Sequence, residues 1–81
     1  MRVRIELFGR VAESAGVREL ALELGERADV ADAAAALVAR YPQLAWIREG
    51  TRPARNREYC RWSDPLADGD EVSFIPPVSG G

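Results

Sequence analysis

The segment EVSFIPP, Glu71 to Pro77, alternates and then stops. Val72 and Phe74 fall on one side of an extended chain; Glu71, Ser73 and Ile75 fall on the other. Pro76 and Pro77 have no N–H to donate, so ladder pairing ends after Ile75. An equally clear strand lies at the opposite end of the chain, in RVRIELF, Arg2 to Phe8. Val3, Ile5 and Leu7 form its apolar side, and Arg2, Arg4, Glu6 and Phe8 its other side. The two end strands carry the strongest apolar faces, so they are expected to be central and adjacent. A parallel pair of this kind needs a long crossover, normally helical.

The intervening sequence supplies it. RELALEL alternates again, with Leu20, Leu22 and Leu24 inward, and reads as the hairpin partner of the first strand. The GRVAESAG between them reads as a connection with at most one helical turn. From Asp29 the period changes: Val30, Ala34, Leu37, Val38 and Tyr41 form one helical stripe. Asp29 is the expected N-cap, with Asp32 completing a capping box, and Pro42 stops the helix. QLAWIREG holds another turn with Leu44 and Ile47 inward. TRPARN reads as a basic loop, REYCRW as a short strand, and SDPLADGDE as a turn-rich segment with Leu66 as a buried plug. The class is α+β, with one main helix packed on one face of a mixed sheet.

The chain has 81 residues, enough for one domain with a small core. Its net charge of −2 argues against nucleic-acid binding through bulk positive charge. All 11 basic residues are arginine and there is no histidine. The usual neutral-pH base and the commonest metal ligand are thus missing, and no metal is expected. The single cysteine, Cys60, excludes an internal disulfide and reads as a packed side chain rather than a reactive thiol. The alternating N-terminus lacks the apolar run of a signal peptide, and no segment is long and apolar enough to span a bilayer. A cytoplasmic protein is expected.

Residues 1–76 are read as the folded domain and residues 77–81 as a flexible tail ending Gly80-Gly81. From Pro77 the tail reaches at most about 17 Å. Glycines lack Cβ atoms and can enter a channel too narrow for other residues. A terminal carboxylate is a poor electrophile. It becomes useful only after activation, for instance as an acyl-adenylate, and could then accept sulfur or an amine. The chain has no lysine, so it cannot be its own lysine acceptor.

The last 18 residues, DPLADGDEVSFIPPVSGG, resemble the molybdopterin synthase small subunit family, in which PLADGDEV is followed by PPVSGG. MRVRIELFGRVAESAG resembles that family's first strand and loop, and Asn56 matches an asparagine at a turn before its next strand. The stretch from Ala28 to Arg55 matches only in pattern. The resemblance implies a β-grasp, ubiquitin-like fold and a sulfur carrier for molybdenum cofactor biosynthesis, not an enzyme on its own. It implies that Gly81 is adenylated by a ubiquitin-activating-like adenylyltransferase using ATP. A persulfide donor would then convert it to a thiocarboxylate. Within molybdopterin synthase it would give sulfur to precursor Z (cyclic pyranopterin monophosphate). The partner-binding residues implied are Phe8, Tyr59 and Ile75 on the sheet, with Pro76, Pro77, Val78 and Ser79 leading Gly80 into the large subunit. A heterotetramer with the large subunit, no bound cofactor and no nucleic-acid or membrane partner complete the expectation. A carrier for thiamin or tRNA thiolation, a modifier conjugated to lysines, and an interaction domain with an inert tail are the alternatives.

Two clusters read more plainly. Arg52, Arg55, Arg57 and Arg61 are expected on a solvated strand edge or loop. Asp64, Asp68 and Asp70 lack the closing glutamate of a calcium loop and read as turn formers.

Overall fold

A computed structural model describes residues 1–77. The elements run β1 (Arg2–Leu7), α1 (Gly9–Ala15), β2 (Glu19–Glu23), α2 (Val30–Arg40), a 3-10 turn (Pro42–Leu44), α3 (Ile47–Gly50), β3 (Arg52–Arg55), β4 (Glu58–Tyr59) and β5 (Glu71–Ile75). The strands form one mixed sheet in the order β2-β1-β5-β3-β4. β1 and β5 are the parallel pair, with Ile5 opposite Val72 and Leu7 opposite Phe74. β2 pairs antiparallel with β1, placing Leu22 opposite Val3.

One face of this sheet is closed by α2 and its neighbours. Val3, Ile5, Leu7, Val72 and Phe74 meet Val30, Ala33, Ala34 and Leu37 there, and all are buried. Val38 and Tyr41, expected in the stripe, are only half-buried at its margin. Leu44 and Ile47 are fully buried, as their spacing predicts. Leu66 plugs the far end at 7 % exposure.

The start of α2 is well satisfied. Asp29 and Asp32 exchange both capping-box bonds, at 2.8 and 2.9 Å. The Val30 and Ala31 N–H groups donate to the carbonyls of Asp64 and Trp62, which come from the turn-rich loop. That loop therefore supplies partners that a helix end otherwise leaves to water.

Two segments differ from expectation. GRVAESAG forms a seven-residue helix rather than a single turn, because Val11 and Ala15, four apart, both bury against the core. Gly16, at φ 79°, closes it with a left-handed cap. TRPARN is a strand, not a loop. Pro53 is tolerated in β3 because of where its missing donor points. Its carbonyl accepts from Cys60 N, so its N side also faces β4, whose pairing ends at Tyr59. The β5 side of β3 keeps its ladder, from Arg52 opposite Ile75 to Arg55 opposite Val72.

Candidate functional site: an open sheet face beside the root of the tail

The face of the sheet opposite α2 carries no helix among the described residues. Strand alternation and register fix its content: Arg4 and Glu6 from β1, Glu71, Ser73 and Ile75 from β5, Arg52 and Ala54 from β3, and Tyr59 from β4. Phe8 follows β1 in extended conformation and caps α1 with its backbone alone. Because β1 and β5 are parallel, Phe8 and Ile75 lie at the same end of the sheet. Antiparallel β3 brings Arg52 to that end as well.

Phe8 is 45 % exposed and Tyr59 is 59 % exposed; they are the large apolar side chains left to solvent among the described residues. Ile75 is half-buried on β5, the strand between β1 and β3, so the sequence-predicted trio shares one face. A shallow cavity of about 470 Å³ is lined by Phe8, Ala54, Tyr59 and Ile75 together with the polar Glu6, Arg57, Glu71 and Ser73. Pro76 is half-buried and Pro77 exposed. Pro76 packs at the start of α1: Gly9 sits at φ 52°, and a Cβ built there would lie 3.4 Å from Pro76 Cγ. Glycine thus serves the turn from β1 into α1 and leaves room for the root of the tail. Val78, Ser79, Gly80 and Gly81 lie outside the described residues.

The polar part of the face is built around Glu71. Arg4 Nη2 donates to its Oε2 at 2.6 Å, and Arg57 Nε lies 3.5 Å from its Oε1. Oε1 is sealed from solvent and accepts no hydrogen bond. Burial works against the Glu71 carboxylate, but its bond with Glu6 and the charges of Arg57 and Arg4 outweigh it and hold its pKa below the ordinary value of 4.5. Glu6 moves the other way. Burial, the bond with Glu71 and the negative charges of Glu71 and Glu19 raise it above 4.5, against the pull of Arg4. The two carboxyls therefore favour holding one proton between them, with Glu6 the one that takes it up and Glu71 the one that keeps its charge.

Arg57 reaches Glu71 from a two-residue turn. Asn56 and Arg57 have φ of 50° and 71°, the paired positive values of a type I′ hairpin. Asn56 then ties this turn to β5. Its N donates to the Glu71 carbonyl at 2.8 Å, its Nδ2 to Asp70 Oδ1 at 3.0 Å, and its Oδ1 accepts from Glu71 N at 3.0 Å. Asp70 also accepts from Ala67 N at 2.8 Å. Burial pushes its pKa up, but Asn56, Ala67 N and Arg55 bring it below 3.8. Asp68 Oδ1 accepts from Arg2 N, and Asp64 Oδ2 from Arg61 N. These carboxylates are engaged by backbone amides, and among the described residues no cluster of side chains is arranged to hold a metal ion.

The basic run does not form one patch. Arg55 turns to the other side of β3 and donates to the Pro65 carbonyl at 2.7 Å. Arg57 lies over Glu71, while Arg52 stacks on the Tyr59 ring with its guanidinium carbon 4.2 Å from the centroid. Cys60 is half-buried against the core, and burial plus the charge of Asp64 raise its pKa despite Arg55, so it stays a thiol. Sequence reasoning missed the Glu6–Glu71 pair and the Arg52–Tyr59 stack. Alternation alone puts these residues on the open face; which strand lies beside which, and in what register, is needed to join them.

The arrangement is an exposed, partly apolar face that runs up to Pro76. Comparison with known proteins then decides the relationship, because a family model described as the ThiS family matches residues 5–81. The chain belongs to the ThiS family. It is 41 % identical over 83 residues to the molybdopterin synthase sulfur carrier subunit of Chlamydomonas reinhardtii, covering 100 % of both chains. It is 34 % identical over 84 residues to small archaeal modifier protein 1 of Haloferax volcanii, covering 94 % of this chain and 97 % of the relative. The crystal structure of SAMP1 from Haloferax volcanii superposes with a TM-score of 0.92 at 32 % identity, covering 100 % of each chain. In this ThiS-family chain the sheet and main helix form the β-grasp, ubiquitin-like fold that the terminal motif implied.

Proposed function

We propose that this chain is the sulfur-carrying small subunit of molybdopterin synthase, inactive alone. The observation that carries this reading is the placement of Phe8, Tyr59 and Ile75 around the point where β5 gives way to Pro76. A partner seated there receives the tail directly. The full-length similarity to a curated sulfur carrier subunit supports the chemistry. The Gly81 carboxylate attacks ATP in an adenylyltransferase partner and becomes an acyl-adenylate. The terminal sulfur of a persulfide donor attacks the acyl-adenylate and expels AMP, giving an acyl disulfide. A thiol then cleaves the S–S bond, leaving the thiocarboxylate on Gly81 and a disulfide on the donor side. The tail then enters the large subunit, Gly80 passing the narrow part of the channel, and delivers sulfur to precursor Z. Two small and two large subunits make the working complex. The carrier binds no cofactor of its own, and the reactions take place in the cytoplasm. Among the described residues no helix is long and apolar enough to cross a membrane.

The test is incubation of the chain with the adenylyltransferase, ATP, a persulfide donor and a thiol reductant, followed by intact mass and addition to the large subunit with precursor Z. The expected result is replacement of one oxygen by sulfur, then product formation. Removal of Gly81 should abolish both. Unchanged mass with the intact chain would defeat the reading.

A second reading has its own support in the similarity to small archaeal modifier protein 1. The same activated acyl end could be passed to lysine amines of target proteins. Isopeptide-linked adducts in the incubation, without conversion of precursor Z, would favour it.

A further inference from the structure

We propose that Arg52 is a specificity residue of the docking face, where it takes a carboxylate of the protein that receives the tail. The inference rests on the docking reading above and adds a residue and a partner chemistry to it.

Four arginines lie over aromatic rings: Arg10 on Trp46, Arg40 on Tyr41, Arg48 on Trp62 and Arg52 on Tyr59. The first three rings pack against the core, so their arginines cover the outer side of buried apolar surface. Tyr59 is different. It is 59 % exposed, and Arg52 is exposed as well, so this stack stands in solvent on the open face.

Charge separates Arg52 from its neighbours too. Among the described residues the ion pairs of the open face engage Arg2 with Glu23, and Arg4 and Arg57 with Glu71. Arg52 has no carboxylate partner there. The ring fixes the guanidinium plane while leaving its edge N–H groups free, and that planar fork fits a carboxylate. A guanidinium is weakly hydrated and already held in place, so a carboxylate meets a small desolvation and ordering cost. The position is telling as well. Arg52 pairs with Ile75, the last strand residue before Pro76. An ion pair at this point, beside the apolar Phe8–Tyr59–Ile75 cleft, sets the angle at which the tail enters its partner. The occupant is thus a protein surface with an apolar side chain for the cleft and an Asp or Glu beside it.

The experiment measures binding of the full chain to purified molybdopterin synthase large subunit at low and high salt, for wild type, Arg52→Glu and Arg52→Gln. Thermal unfolding of each variant checks that the fold is kept. Arg52→Glu should weaken binding by at least about tenfold, and Arg52→Gln by less. Both should flatten the salt dependence. Reversing one acidic residue of the large subunit to arginine should restore the Arg52→Glu variant. Equal losses for Gln and Glu with an unchanged salt slope would show that Arg52 acts only through the ring, and would overturn the proposal. So would wild-type affinity in Arg52→Glu. Failure of the wild-type chain to bind at all would sink the docking reading itself, a result distinct from the other two.

Discussion

The two faces of the sheet are cut from the same strands and do opposite work. On the helix side, Ile5, Val72 and Phe74 are wholly buried, and Phe74 also stacks on Trp62 with ring centroids 5.9 Å apart. On the open side, one residue along each strand, stand Glu6, Glu71 and Ile75. The first set is selected for volume and apolarity. The second mixes exposed aromatics, ion pairs and an arginine with no carboxylate partner among the described residues, which adds little to a monomer. In a domain whose total stability is expected to be about 5–15 kcal/mol, the helix face stabilises the head, and under the docking proposal the open face selects what the head meets.

Substitution should separate these roles sharply. Phe74→Ala removes a fully buried aromatic and should cost about 3–5 kcal/mol, leaving the domain marginal in denaturant unfolding. A loss below about 1 kcal/mol would mean that the core is not organised around this residue. Asn56→Ala should cost less, about 1–3 kcal/mol, because Asp70 Oδ1 and the Glu71 N–H both lose their Asn56 partner. It should also loosen the turn that holds Arg57 over Glu71, which amide exchange at Glu71 would detect.

Phe8→Ala reverses the balance. With Phe8 half in solvent and its backbone alone capping α1, stability should fall by no more than about 1 kcal/mol. Affinity for the large subunit should drop about tenfold or more, as expected for an aromatic anchor in an interface. Normal binding with a large stability loss would assign Phe8 to the core-side set instead.

How far the sequence revealed these faces depended on the kind of signal. Strict alternation in Arg2–Leu7 and Glu71–Ile75 showed both faces of the central pair, and the proline stop after Ile75 marked the root of the tail. The capping box at Asp29 was legible because it is local. β3 was not legible, since Pro53 contradicts strand propensity and only its place beside a two-residue edge strand excuses it. α1 was underread because Val11 and Ala15 show just one helical repeat, too short to stand out. The Arg52–Tyr59 stack and the carboxyl pair depend on contacts between distant segments, which no window of sequence contains. The terminal motif, by contrast, spoke for chemistry through family resemblance, with no help from the fold.

The smallest effect tests the carboxyl pair at the centre of the open face. Glu6 has a raised pKa, so its neutral form is favoured by folding, and its contribution to stability grows as pH falls through the raised value toward 4.5. Glu71 has a lowered pKa, so its contribution is present above 4.5 and is lost as pH falls through the lowered value. Acidification just above 4.5 should therefore help through Glu6 before it harms through Glu71. Glu6→Gln removes the negative charge facing Glu71 and keeps a neutral donor beside it. The variant should unfold at a slightly higher temperature than wild type near neutral pH, and the gap should close as wild-type Glu6 takes up its proton. Glu6→Ala, which removes the repulsion without supplying a donor, should gain less. Parallel melting curves for wild type and Glu6→Gln across the whole range would show that the two carboxyls titrate independently, and that the open face contains an ordinary surface pair in place of a shared proton.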